Sequence, residues 1–76
     1  EHVNNGIRCN AILPGYTDTP YARSVLTPEE TQKLLSHTIF GEACQPRDVA
    51  NSVAYLASKF SSFVTGMYLR VGGEWV

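Results

Sequence analysis

Three features that mark specialised classes of protein are scarce or missing in this sequence. Its 76 residues include only two cysteines, too few for a scaffold held together by disulfides. The sequence contains six lysine and arginine residues and seven acidic residues, which gives a formal net charge of −1. The basic residues do not cluster into a patch that could attract nucleic acid. No apolar run approaches the roughly 20 residues of a membrane span, and no signal-peptide pattern opens the chain. We therefore expect a cytoplasmic protein with neither nucleic-acid nor membrane partners.

The sequence also gives little support for a metal site or a disulfide bond. His2 and His37 lie far apart in the sequence and lack neighbours that commonly ligate metals, so we expect surface roles for both and no metal site. Cys9 falls in an apolar segment typical of a buried strand, and Cys44 falls in a loop. In an intracellular-looking chain such a pair favours free thiols over a bridge, with Cys9 as a small core residue.

The composition is that of a folded globular protein, with 43% hydrophobic and 17% charged residues. A chain of this length buries only about 60% of the surface of its unfolded form and is marginally stable by itself. The first residue is Glu1 rather than methionine. We expect one domain or, because of that start, an excised piece of one.

The most informative segment lies between residues 7 and 20. Residues 7–13 are mostly apolar, as in a buried parallel strand. Pro14 and Gly15 end that strand, because proline lacks the N–H that a ladder needs and glycine allows a sharp change of direction. Thr17 and Thr19 then follow in a loop just beyond the carboxyl end of the strand, where α/β sheets bind their ligands. The segment predicts a ligand-facing corner, although both threonines could also simply cap turns.

Two polar residues near this corner have structural interpretations. Asn10 lies within the predicted strand, and a buried amide left unpaired is costly, so we expect it to bond neighbouring backbone. Asp18 stands between the two threonines and is expected to be solvated or to form the turn.

Helix and strand signals fill the rest of the chain. Thr27, Pro28 and Glu30 match a helix start, with threonine at the cap, proline at the first position and glutamate three residues after the cap. A second helix begins at Pro46 and should end near Ser58. Its apolar residues recur at the spacing of one buried face: Val49, Ala50, Val53, Ala54, Leu56 and Ala57. Residues 67–71 alternate as a second strand does, and residues 1–5 resemble a last helical turn capped by Gly6.

The order strand, helix, helix, strand predicts an α/β fold in which a right-handed crossover joins two parallel strands. Two parallel strands cannot cover both of their own faces, and isolated two-stranded sheets are marginal. The sequence therefore indicates the carboxyl-terminal part of a larger, doubly wound sheet.

Three segments together resemble the short-chain dehydrogenase/reductase family. Residues 6–15 (GIRCNAILPG) resemble the family's sixth strand and its Pro-Gly turn. Residues 48–58 resemble the penultimate helix, and residues 63–73 resemble the last strand. The branch that includes 3-oxoacyl-acyl-carrier-protein reductases is the most similar. The resemblance implies that residues 1–76 are the carboxyl-terminal portion of a single Rossmann-like domain.

The resemblance also implies a site and a cofactor, NAD or NADP. In the family, the residues that correspond to Pro14 and Gly15 lie against the nicotinamide ring. The backbone of Thr17 corresponds to a group that binds the cofactor's carboxamide, and the hydroxyl of Thr19 corresponds to one that binds the carboxamide or the pyrophosphate. Residues 20–40 correspond to the flap over a small carbonyl or alcohol substrate, and their polar, proline-bounded character is that of a mobile lid.

The implied function is that of an NAD(P)-dependent oxidoreductase interconverting a ketone and a secondary alcohol. The family's catalytic serine and Tyr-x-x-x-Lys motif lie upstream of this sequence, so we assign no catalytic residue and expect this chain alone to be inactive. Tyr55 and Lys59 have the spacing of the Tyr-x-x-x-Lys motif. We do not expect them to be a catalytic pair, because the motif lies in the apolar helix and the serine is absent. The alternative is a non-catalytic member that binds a dinucleotide or forms oligomers.

The resemblance further implies a homodimer or homotetramer formed by helix 46–58 and the last strand. Four aromatic residues are expected to cover the sheet edge or a subunit contact: Phe60, Phe63, Tyr68 and Trp75. The sequence departs from the family at four positions. Glu42 and Cys44 stand where arginine and glycine are frequent, and Gly72 and Glu74 stand where aspartate and glycine are frequent. These departures concern local turns and oligomer contacts more than the cofactor loop.

Overall fold

A computed structural model of the chain describes residues 6–73. Its elements are β1 (Ala11–Pro14), α1 (Pro20–Val25), α2 (Pro28–Leu35), α3 (Pro46–Ala57), a short 3-10 helix (Lys59–Ser61) and β2 (Tyr68–Val71). The two strands pair in parallel, with Ala11 opposite Tyr68 and Pro14 opposite Val71. The predicted α/β class and the parallel pairing across a helical crossover are confirmed.

The first strand is shorter at its start and longer at its end than the sequence predicts. Before Ala11, the chain forms hydrogen bonds with the loop that precedes β2 and does not pair with a strand. The Cys9 N–H donates to Thr65 Oγ1 at 3.1 Å, and the Gly66 N–H donates to the Cys9 carbonyl at 2.7 Å. At the other end, Pro14 belongs to the strand, contrary to the prediction. The N–H groups of Ala11 and Gly15 face β2, so the missing N–H of the even-numbered Pro14 points away from it.

The second strand alternates as expected. Tyr68 and Arg70 are exposed, while Leu69 and Val71 are half-buried. The strand begins at Tyr68, one residue later than predicted.

Both predicted helices are present, and a third precedes them. The Glu30 N–H donates to Thr27 Oγ1 at 3.1 Å and the Thr27 N–H donates to Glu30 Oε1 at 2.9 Å, which is the predicted capping box of α2. Helix α3 ends at Ala57, within a residue of the prediction. Helix α1 was not predicted, although Thr19 and Pro20 repeat the Thr-Pro start of α2.

The amino-terminal end of β1 is fastened to the carboxyl-terminal end of α3 by Arg8. Its guanidinium donates to the carbonyl oxygens of four residues and to the Ser61 hydroxyl over 2.9–3.3 Å; the four are Leu56, Ser58, Ser61 and Val64. Asn10 bonds neighbouring backbone as predicted, donating to the Val64 carbonyl and accepting from the Met67 N–H. These contacts hold the amino-terminal side of β1 against the carboxyl end of α3 and the loop before β2.

The core of the described residues is small. Only Cys44, Thr38 and Ser61 are buried among residues 6–73. The core placement predicted for Cys9 is wrong, because Cys9 precedes β1 and is exposed, with no further strand within the described residues to cover it. Cys44 is buried. Both thiols are free, as predicted. The helical turn predicted for residues 1–5 lies outside the described residues, as do His2, Glu74 and Trp75.

Candidate functional site

The loop that follows β1 is held on two sides by backbone hydrogen bonds. The Gly15 N–H donates to the carbonyl of Val71, at the end of β2, over 2.8 Å. Further along, the Cys44 N–H donates to the Tyr16 carbonyl at 3.0 Å and the Asp18 N–H donates to the Cys44 carbonyl at 2.8 Å. We call residues 14–19 the corner. It is a fixed turn at the carboxyl ends of both parallel strands.

The corner's pairing with Cys44 determines which way the peptide of Thr17 faces. In a parallel bridge the residue between the two bonded peptides turns its own N–H and C=O to the opposite side. Thr17 is that residue. Within residues 6–73 its N–H has no hydrogen-bond acceptor. The corner therefore offers a backbone donor on the side away from Cys44.

The two threonine side chains have local roles and spare bonding capacity. Thr17 Oγ1 donates to the Gly15 carbonyl at 3.0 Å, which stabilises the turn and leaves the hydroxyl lone pairs free to accept. Thr19 Oγ1 accepts from the Ala22 N–H at 3.1 Å as the cap of α1, which leaves its hydroxyl hydrogen free to donate. Both threonines cap turns, as the simpler interpretation of the sequence held, and both can still bind a ligand.

Asp18 is tied to α1 by an ion pair. Arg23 Nε donates to Asp18 Oδ1 at 2.7 Å. The hydrogen bond from the Arg23 side chain holds the pKa of the Asp18 carboxyl below its usual value, and the same bond raises the pKa of the guanidinium. Asp18 is therefore an anion at neutral pH and orients the first turn after the corner.

Cys44 is an inert support for the corner. Burial raises the pKa of its thiol, and the nearby negative charge of Asp48 raises it further. A thiol that stays protonated is a poor nucleophile and a poor metal ligand. No group of three or more metal-ligating side chains occurs within the described part of the chain.

An open cleft of about 750 Å³ lies on the other side of the corner. Tyr16, Asp18 and Arg23 contribute to one wall, and α2 with residues 41–45 contributes the rest. None of the four predicted cofactor-binding residues lines this cleft; they are Pro14, Gly15, Thr17 and Thr19. Side chains alternate along the extended corner, so Thr17 and Thr19 belong to the side away from the cleft.

Tyr55 and Lys59 lie at the wrong end of the sheet for catalysis. They flank the carboxyl end of α3, where Arg8 holds that helix to the amino-terminal side of β1. The corner follows the opposite end of β1. The described residues thus place no Tyr-x-x-x-Lys pair beside the corner. No helix among them is both long and apolar enough to cross a membrane.

This is an α/β protein of the Rossmann-like class, as defined by its parallel strand pair, its helical crossover and the corner. A family model described as enoyl-(acyl carrier protein) reductase matches residues 1–73. The chain belongs to the short-chain dehydrogenase/reductase family, as its sequence motifs indicated.

Relatives and solved structures agree with this assignment. The chain is 45% identical over 70 residues to a 7alpha-hydroxysteroid dehydrogenase of Escherichia coli, covering 92% of this chain and 28% of that protein. It is 40% identical over 70 residues to the mouse (3R)-3-hydroxyacyl-CoA dehydrogenase, covering 91% of this chain and 26% of that one. The crystal structure of a 3-oxoacyl-[acyl-carrier protein] reductase from Brucella melitensis superimposes with a TM-score of 0.89 at 35% identity. The match covers 97% of this chain and 28% of that one. The chain thus spans less than a third of these relatives.

Proposed function

We propose that this chain is the carboxyl-terminal portion of a single-domain, NAD(P)-dependent oxidoreductase that interconverts a ketone and a secondary alcohol. We call the chain together with the rest of that domain the complete protein. In this proposal the corner binds the nicotinamide end of the cofactor. Family membership supports the general activity, since relatives that the chain matches are dehydrogenases and reductases.

The observation that carries the proposal is the unbonded N–H of Thr17. It belongs to a loop that Gly15 ties to β2 and that Tyr16 and Asp18 tie to Cys44, so it is held in place without an acceptor among the described residues. A fixed donor at the carboxyl ends of parallel strands is the arrangement that binds cofactors in α/β proteins. A carboxamide oxygen is a suitable acceptor for it.

The other residues of the corner also suit the nicotinamide end of the cofactor. The Thr19 hydroxyl has a hydrogen to donate to a carboxamide or phosphate oxygen, and the Thr17 hydroxyl can accept from a carboxamide NH₂. Pro14 and Gly15 present a small, apolar turn to a flat ring. A bound nicotinamide would supply or accept the hydride. The chain's own contribution is to hold and orient that ring.

Substrate and proton chemistry belong to groups that we expect in the rest of the domain. The names of two relatives indicate hydroxysteroid and 3-hydroxyacyl substrates, both of which carry a secondary alcohol. We propose a substrate of that kind, with the proton carried by a serine and a Tyr-x-x-x-Lys motif outside this chain. The flap of residues 20–40 contains α1 and α2, which would lie beside the substrate.

The complete protein tests this proposal directly. It should be assayed with NAD and NADP against a 7alpha-hydroxysteroid and a (3R)-3-hydroxyacyl thioester, with simple secondary alcohols as a third class. Turnover with at least one combination is the expected result. Cofactor binding without any turnover would favour the alternative, a non-catalytic member of the family. A protein that binds neither cofactor would rule out the proposal and would leave only a non-catalytic member that forms oligomers.

We also propose that the complete protein is a cytoplasmic homodimer or homotetramer assembled through α3 and β2. Three exposed aromatic side chains in the segment from the 3-10 helix to β2 support this, because Phe60, Phe63 and Tyr68 are 82%, 101% and 78% exposed. Val53 on α3 is also exposed, at 51%. Aromatic residues are enriched in protein interfaces, and a two-fold contact needs one patch that complements itself. The two free thiols suit a reducing compartment.

A further inference from the structure

The last two residues of the flap are attached to the segment that follows β2. The Ile39 N–H donates to the Gly73 carbonyl at 2.8 Å. A Cβ atom placed on Gly73 would lie 2.4 Å from Cδ2 and 2.8 Å from Cε2 of Phe40, so the ring lies directly against this glycine. Gly73 also has a φ of 67°, which favours glycine. We call these three residues the anchor.

The two helices of the flap have little other support. In the part of the chain that the structure describes, neither α1 nor α2 packs against a strand or against α3, and neither contains a buried residue. At its start, the flap is tied to the corner by the ion pair between Asp18 and Arg23. Both side chains are partly or largely exposed, and exposed ion pairs are weak restraints. The position of α2 therefore depends mainly on the anchor at its other end.

A tight turn connects the anchor to α2. Thr38 is buried, its Oγ1 donates to the Leu35 carbonyl at 3.1 Å, and the same oxygen accepts from the Gly41 N–H at 2.9 Å. The Thr38 N–H also donates to the Leu35 carbonyl, over 3.1 Å. Leu35 is the last residue of α2. These bonds join the helix to the anchor without a free joint, so a shift at the anchor is passed on to α2.

The corner and the flap are attached to neighbouring carbonyls at the end of β2. The Val71 carbonyl accepts from Gly15, and the Gly73 carbonyl accepts from Ile39. We infer that Phe40 is a positioning residue for the substrate: its ring holds α2 in place relative to the corner. The inference rests on the proposed function. Loss of the ring leaves the hydrogen bond of the corner to Val71 intact, so the cofactor and the substrate should respond differently.

The test uses three variants of the complete protein. Phe40→Ala removes the ring, and Phe40→Leu keeps an apolar group beside Gly73. Phe60→Ala is the matched control, because Phe60 and Phe40 are both exposed phenylalanines, at 82% and 70%, and Phe60 lies in the 3-10 helix at the opposite end of the sheet. KM and kcat are measured with the substrate class that the assay above identifies, and the dissociation constants of NADH and NADPH by fluorescence titration. Hydrogen exchange of the α2 amides is followed by mass spectrometry.

For Phe40→Ala we expect kcat/KM to fall roughly 10- to 100-fold through a rise in KM, because misplacement by about 1 Å has effects of that size. The cofactor dissociation constants should stay unchanged, and the α2 amides should exchange faster. Phe40→Leu should recover most of the loss, and Phe60→Ala should match wild type in KM and in the exchange of α2.

Three results would overturn the inference and leave the proposed function standing. They are a wild-type KM in Phe40→Ala, an equal rise in KM in Phe60→Ala, and a rise in the cofactor dissociation constants that matches the rise in KM. Unchanged exchange of α2 in Phe40→Ala would also overturn it, because the anchor would then not hold the helix. A wild-type protein without turnover would overturn the proposed function and the inference with it.

Discussion

At the scale of single residues, each threonine hydroxyl of the corner makes one hydrogen bond within the chain and keeps a second bonding capacity. Thr17 donates within the turn and can still accept, while Thr19 accepts from α1 and can still donate. The cofactor role of both threonines stays a prediction. The sequence could not separate capping from binding, because one hydroxyl can do both.

The first prediction separates these two roles of Thr19. Thr19→Ala in the complete protein should weaken NADH and NADPH binding by up to about tenfold, since one lost hydrogen bond costs roughly 0.5–1.5 kcal/mol. Thr27→Ala is the matched control, because Thr27 caps α2 in the same Thr-Pro context and lies outside the corner. Calorimetric titration gives the affinities. If both variants bind as wild type does, Thr19 is only a cap.

The second prediction concerns the charge of Asp18. Its pKa is lowered by the hydrogen bond from Arg23, so the carboxylate favours the folded state above pH 3.8 and loses that effect as pH falls through the lowered value. NMR titration of the Asp18 side chain should give a midpoint below 3.8. Arg23→Gln should move the midpoint upward. A wild-type midpoint at or above 3.8, or no change in the variant, would show that the ion pair does not persist in solution.

At the scale of secondary structure, capping chemistry was predictable and packing was not. The Thr27 capping box and the start of α3 at Pro46 follow from local residue types, and both occur as expected. The start of β1 was missed because residues 8–10 bond to residues 56–67, a long-range contact that no local pattern encodes. Helix α1 could have been found from Thr19 and Pro20, which repeat the start of α2.

The third prediction tests the contact that ties β1 to α3. Arg8→Ala in the complete protein should lower the free energy of unfolding by roughly 2 kcal/mol, because hydrogen bonds to charged groups have about that value. The variant removes the charged donor from the carbonyl oxygens of Leu56, Ser58, Ser61 and Val64. Urea unfolding at one fixed protein concentration measures the change. Arg47→Ala, on the exposed first turn of α3, should change stability by less than about 0.5 kcal/mol.

At the scale of the whole molecule, the two strands have no further partner within residues 6–73, and the apolar side chain of Leu13 on β1 is exposed. The larger sheet that the sequence predicts from its apolar first strand stays a prediction. The sequence could not show which way the Thr17 N–H faces, because that depends on the bridge between Thr17 and Cys44.

The fourth prediction concerns assembly. Val53→Asp should shift the complete protein toward the monomer in light scattering at micromolar concentration, because a charge would be buried in the proposed contact of α3. Gln32→Asp, on the exposed surface of α2, is the control and should leave the oligomer intact. A wild-type monomer would contradict the proposed assembly. An oligomer that survives Val53→Asp would place the interface elsewhere.

The central claim is that this chain holds the nicotinamide of a hydride-transferring oxidoreductase. The most direct measurement follows deuterium from the reduced cofactor, labelled at nicotinamide C4, into the product of the complete protein by mass spectrometry. We predict deuterium on the carbinol carbon of the alcohol product, and none when this 76-residue chain is used alone. Product alcohol without deuterium from either face of NADH or NADPH, or transfer catalysed by the chain alone, would contradict the account.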